Sequence, residues 1–138
     1  MTIRRKAREL ALQALFYMDA SKNFSQEKIT LFSKALPPPV KTIPFFTQLT
    51  EGVYMHLAEI DDMISRYAKN WKLKRMLNVD RNILRIAIFE LLYCDDIPKK
   101  VTLNEAIDLA KAFGGEDSSR FINGILDQVC TSLTKKKE

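Results

Sequence analysis

Apolar residues recur along this chain with the three- and four-residue spacing of helix faces. Ile3, Ala7, Leu10, Ala11, Ala14 and Met18 make the first such stripe. Phe24, Ile29, Phe32 and Leu36 predict a second, short helix. It must stop at Pro37, Pro38 and Pro39, because proline lacks an amide donor and fixes φ. From about Pro44 to Lys69, the residues Phe45, Phe46, Leu49, Val53, Leu57, Ile60, Met63, Ile64 and Tyr67 keep helical period and predict one long helix. Gly52 interrupts it and the repeat covers too few heptads for a coiled coil, so it is expected to cross a globular bundle.

Residues from Val79 to Leu92 are apolar almost all round, the pattern of a central helix enclosed by others, and Arg85 and Glu90 within it need partners. Thr102 followed by Glu105 reads as a capping box opening the next helix, with Leu103, Ala106, Ile107, Ala110 and Phe113 inward and Gly114 and Gly115 ending it. Asp117 or Ser118 can cap a last helix that buries Ile122, Ile125, Leu126, Val129 and Leu133, with Phe121 beside that stripe. A glycine inside a strong helix costs about 1 kcal/mol against alanine, so Gly124 suggests a close helix crossing. The sum is an all-α domain of six to seven helices.

At 138 residues the chain suits one compact domain, here residues 1–134 followed by a basic tail at 135–138, solvated and without fixed structure. Four glycines and five prolines leave few breaks for an all-β chain. No apolar run approaches the length of a membrane span, and the basic N-terminus lacks a signal-peptide core, so the expected location is the cytoplasm. Cys94 and Cys130 lie in apolar helical pattern with no CxxC spacing and read as buried free thiols. His56 has no second histidine, cysteine or serine motif at ligand or triad spacing. With no phosphate loop, dinucleotide turn or nucleophile elbow either, the expectation is a protein without catalysis, metal or cofactor. The pairs Asp61–Asp62 and Asp95–Asp96 diverge by about 100° on a helix and read as solvated carboxylates.

Charge alters this picture. The 22 basic and 17 acidic residues leave a net +5, and the excess is clustered: Arg4, Arg5, Lys6 and Arg8 fall within eight residues that hold no acid. They are expected to fan over the arc opposite the apolar stripe, facing solvent. Cations at a helix N-terminus oppose the macrodipole, so stability alone does not account for them and an anionic ligand does.

The segment RRKARELALQALF at 4–16 resembles the opening helix of the NusB antitermination factors. VDRNILRIAIFEL at 79–91 and IPKKVTLNEAIDLAKAFGGEDSSRFINGILDQV at 97–129 resemble the same family, while residues 20–78 match mainly in helical character and one tyrosine. The resemblance implies two three-helix bundles side by side. It implies binding of boxA-type single-stranded RNA in nascent rRNA transcripts, together with NusE, a ribosomal protein of the small subunit, in an antitermination complex on RNA polymerase. Carried over by position, RNA binding falls on Arg4, Arg5, Lys6, Arg8, Tyr67, Asp117, Ser118 and Phe121, whose aromatics suit unstacked bases. The NusE-facing positions are Phe16, Asp80 and Arg81. Phe16 stands where some relatives carry tyrosine, and Lys6, where some have arginine, lacks the bidentate fork.

Two other readings fit the same features. One is a protein-interaction module or homodimeric scaffold whose basic face meets an acidic partner. The other is a stand-alone equivalent of the RNA-binding domain that accompanies certain rRNA cytosine methyltransferases. A helix-turn-helix DNA reader fits poorly, since its basic residues belong on a second helix after a tight turn.

Overall fold

The computed structural model describes residues 2–69 and 72–137, with 135–137 as backbone only. Its helices are α1 (Ile3–Ala20), α2 (Gln26–Ala35), α3 (Ile43–Met55), α4 (Leu57–Tyr67), α5 (Asn78–Tyr93), α6 (Lys99–Phe113) and α7 (Ser118–Lys137), with 3-10 turns at Val40–Thr42 and Leu73–Arg75. α1, α2 and α3 pack on one another, as do α5, α6 and α7, with α4 laid against α5 and α7. α1 also packs along α5 and joins the two groups. The all-α reading and the paired three-helix arrangement therefore stand. Ile83, Leu84, Ile86, Ala87 and Ile88 of α5 are all buried, as its unbroken apolar pattern predicts.

The helix predicted from Pro44 to Lys69 is two helices. His56 leaves helical geometry at φ −115°, ψ 22°, and its ring stacks on Tyr93 at 4.2 Å. The turn re-aims α4 across α5, where Ile60 and Ile64 are buried and Asp61 reaches Arg85. Asp61 is thus half-buried and paired, not a solvated carboxylate.

α6 begins at Lys99, after Pro98, so Thr102 lies inside the helix. The capping box does not form; the Thr102 hydroxyl donates to Glu90 at 3.0 Å instead. The backbone of α7 runs on through 135–137, extending a helix where a loose tail was expected. Cys94 and Cys130 are free, the first buried and the second half-buried. Burial, ahead of the nearby Glu90 charge, pushes the Cys94 thiol up to about 11.

Among the described residues nothing lies within 4 Å of where a Cβ on Gly124 would stand, so that glycine marks no helix crossing. The crossing is at Gly52, where a Cβ would sit 2.2 Å from the Phe89 ring. α3 and α5 approach so closely there that only glycine fits with Phe89 in place. Gly52→Ala is expected to destabilise by about 1–3 kcal/mol, the usual range for overpacking, read as a lower urea midpoint. Adding Phe89→Leu should recover part of that loss, and no recovery would place the strain elsewhere.

Candidate nucleic-acid interface

α1 starts sharply because the Thr2 hydroxyl accepts from the Arg5 amide at 3.0 Å. Its buried face is wider than the predicted stripe and takes in Arg8, Leu12 and Leu15. This overturns one expectation: Arg8 does not face solvent. It is 2% exposed and donates twice to Glu90, from Nε at 2.9 Å and from Nη2 at 2.7 Å. Its guanidinium also lies 5.1 Å from the Phe45 ring centre. The physical reason is the partner that Glu90 needed inside α5: a buried carboxylate costs several kcal/mol unless paired, and Arg8 is the cation that the α1–α5 contact brings to it.

The other three cations reach the surface, but two are matched by acids. Arg4 donates to Asp96 at 3.0 Å and stands 4.9 Å from the Phe45 ring centre. Arg5 spans two carboxylates of α6, from Nε to Glu105 at 3.0 Å and from Nη2 to Asp108 at 2.7 Å. Hydrogen bonding from Arg4 holds the Asp96 carboxyl below its usual range. Lys6 has no ion-pair partner among the described residues and sits beside Pro39, Val40 and Thr42 at an open groove. The preorganised cationic surface read from the sequence is therefore an alternating surface of arginines and carboxylates. The pairing of these arginines with Asp96, Glu105 and Asp108 was missed because the partners lie 92, 100 and 103 positions apart in the chain.

Farther along, the α6–α7 turn meets the segment before α5 around a cavity of about 400 Å³ lined by Met76, Leu77, Asp80, Asp117, Ser118 and Phe121. Asp117 is exposed and Phe121 half-buried, both beside this cavity. Ser118 is buried and its hydroxyl accepts from the Gly115 amide at 2.8 Å, which makes it a turn-former. Tyr67, in the last turn of α4, packs against the core and is not among the cavity-lining residues.

Of the residues expected to face a protein partner, Phe16 is exposed on α1. Its carbonyl accepts from Asn78 at 3.4 Å, and Leu77, the residue before Asn78, is also exposed. Asp80 is 5% exposed, with a buried Oδ1 that accepts no hydrogen bond among the described residues. It is neither an exposed cap nor a surface charge. Arg81 spends its guanidinium internally, on Asp19 at 2.7 Å and on the carbonyls of Leu73 and Met76 at 3.0 and 3.1 Å. The same Asp19 Oδ2 accepts from Arg85 at 2.8 Å and Asn82 at 3.0 Å. Asp19 also escaped the sequence reading, since it lies past the last residue of the α1 stripe.

No group of three or more His, Cys, Asp or Glu among the described residues is arranged to hold a metal. No described helix is long and apolar enough to cross a membrane.

The NusB family model matches residues 5–131. The transcription antitermination protein NusB of Desulfatibacillum aliphaticivorans is 47% identical over 135 residues, covering 98% of this chain and 94% of its own. That of Geobacter sp. (strain M21) is 47% identical over 145 residues, covering 99% and 100%. Among solved structures, NusB of T. maritima superposes with a TM-score of 0.85 at 38% identity, covering 95% of this chain and 92% of its own. NusB in a complex of the antitermination factors NusB and NusE with double-stranded RNA shares the fold, with a TM-score of 0.82 at 23% identity over 96% of this chain and 98% of its own.

Proposed function

This chain belongs to the NusB family, and we propose that it is a transcription antitermination factor of the cytoplasm. It binds boxA-type single-stranded RNA together with the ribosomal protein NusE, within a complex on RNA polymerase, and carries out no chemistry itself. The observation that supports this most is the near-complete match to curated antitermination proteins, at 47% identity over 98% of the chain. The relative solved with NusE and double-stranded RNA shares its fold, in keeping with NusE and an RNA as the partners.

On this reading RNA enters over the N-terminal turns of α1. Arg4, Arg5 and Lys6 supply the phosphate contacts, because their side chains reach the surface, while Arg8 fixes the helix that carries them. The RNA then passes toward the α6–α7 turn, where Asp117 and Phe121 stand at the cavity mouth and an aromatic edge can meet an unstacked base. Phe16 and Leu77, exposed on the two segments that the Asn78 hydrogen bond joins, offer apolar area to the protein partner.

Three full phosphate contacts would give a log–log salt slope of about −2, roughly a twenty-fold loss of affinity between 50 and 200 mM salt, which is the upper limit for this surface. Arg4→Ala and Lys6→Ala should each weaken binding several-fold with unchanged helicity. The test is titration of a short boxA-type RNA and a scrambled control over that salt range, with and without NusE. Preference for boxA, tightened by NusE, is the expected result. Absence of RNA binding at every salt concentration would overturn it in favour of a protein-interaction module.

A further inference from the structure

The sequence presents four cations near the start of α1, yet three of them meet carboxylates from the far half of the chain. Arg8 and Glu90 are buried together. Arg4 with Asp96 and Arg5 with Asp108 are surface pairs, their acids 65% and 50% exposed. A protein selected only for phosphate affinity has no use for acids at those places. Pairs this exposed add little to stability, so their presence is not explained by folding either.

We propose that Asp96 and Asp108 act as built-in competitors for the RNA backbone, occupying Arg4 and Arg5 in the free protein and so setting how tightly it holds RNA. The proposal rests on the RNA-binding role above and concerns how that binding is limited. A guanidinium has five N–H donors, and Arg5 has committed only its Nε and Nη2 edges. A phosphate therefore has two routes: it displaces the carboxylate, or it takes the remaining edge and meets the carboxylate's negative charge nearby. Either route weakens binding relative to an unpaired arginine. Both routes also lower the positive charge presented to RNA, and so the number of counterions released. Glu105 is a poorer competitor, because it is half-buried and also lies 3.8 Å from Arg8, tied into the interior.

The test uses Asp96→Asn and Asp108→Asn, alone and combined, in the full chain. Both side chains are at least half exposed, so the fold is retained, and circular dichroism checks that. Affinity for a short single-stranded boxA-type RNA is measured from 50 to 200 mM salt. Each single change is expected to tighten binding by about three- to tenfold at the lowest salt, with the gain shrinking as screening grows. The double variant should also have a steeper log–log slope than the wild type, approaching the value of about −2 that three full phosphate contacts give. A positioning role for the carboxylates predicts the reverse, since arginines that lose their supports bind RNA less tightly. If the wild type binds and the variants are equal or weaker, the competitor idea fails while the RNA-binding role survives. If neither wild type nor variants bind at any salt, both fail together. If only the variants bind, the competitor idea holds in its strongest form.

Discussion

Arg8→Ala is expected to lower the free energy of unfolding by about 3–5 kcal/mol, because it leaves the Glu90 carboxylate buried without its cation. Glu90 is 2% exposed, and among the described residues the Thr102 hydroxyl at 3.0 Å is the other donor to it; one neutral hydrogen bond does not replace a bidentate guanidinium. In thermal melts this should appear as a fall of about 10 °C or more for a domain of this size. Arg8→Lys should recover only part of it, since an ammonium cannot match both carboxylate oxygens. Arg8→Met combined with Glu90→Leu should lie close to wild type, because removing both charges removes the desolvation cost along with the attraction. Thr102 can then turn its hydroxyl back to a carbonyl one turn earlier, as threonine does inside helices. Stability of Arg8→Ala within about 1 kcal/mol of wild type would show that water reaches Glu90. The functional consequence is direct: loss of RNA binding in Arg8→Ala would report a damaged helix and not a lost phosphate contact, so Arg4 and Lys6 are the residues to change when binding is the question.

Arg8 also marks where local pattern stops being informative. The apolar stripe located α1 correctly, but a stripe gives the centre of a buried face and not its width. Position 8 lies one turn before Leu12 and two before Leu15, both buried, so it belongs to the same widened face and only its charge made it look external. The requirement that Glu90 have a partner was legible from α5 alone; its identity was not, because the contact joins residues 82 positions apart. His56 failed for a related reason. Its neighbours keep helical period on both sides, and only its stacking on Tyr93 reveals a bend. The reading of glycines inverted in the same way, since what a missing Cβ avoids depends on a residue from another helix. For the candidate site, the cationic run was plain in the sequence, whereas its pairing with carboxylates of α6 and of the turn before it was not, since Glu105 reads locally as a cap and Asp96 as a solvated charge. Family resemblance supplied the positions around Asp117 and Phe121, and the cavity between them and Asp80 shows how two distant segments share one place.

Asp19→Ala is expected to cost about 2–4 kcal/mol at neutral pH, because one carboxylate oxygen there serves three donors that then lose it together. Arg85 keeps its bidentate pairing with Asp61 at 2.8 and 2.9 Å, which limits the damage. Arg81 keeps only the carbonyls of Leu73 and Met76, and with them the tether that holds the segment before α5. The same clamp gives a pH signature. Burial raises the Asp19 carboxyl, but the hydrogen bond from Arg81 and the charges of Arg85 and Arg81 outweigh it, and the net position is below the ordinary value of 3.8. A carboxyl depressed in the folded state contributes stability that is fully present above its unfolded value, and loses it as pH falls through its folded value. The stability difference between wild type and Asp19→Asn should therefore be large and flat above about pH 5, and shrink as the pH drops below 3.8. Denaturant titrations at pH 7, 5 and 3 measure it. A difference that persists undiminished at the lowest pH would mean that the shape of the side chain, and not its charge, holds α1 to α5. Because the Phe16 carbonyl accepts from Asn78, and Asn82 donates to both Asn78 and Asp19, the proposed function predicts that Asp19→Asn also weakens NusE binding at neutral pH while leaving RNA affinity unchanged, and an equal loss of both would count against placing the two partners at opposite ends of α1.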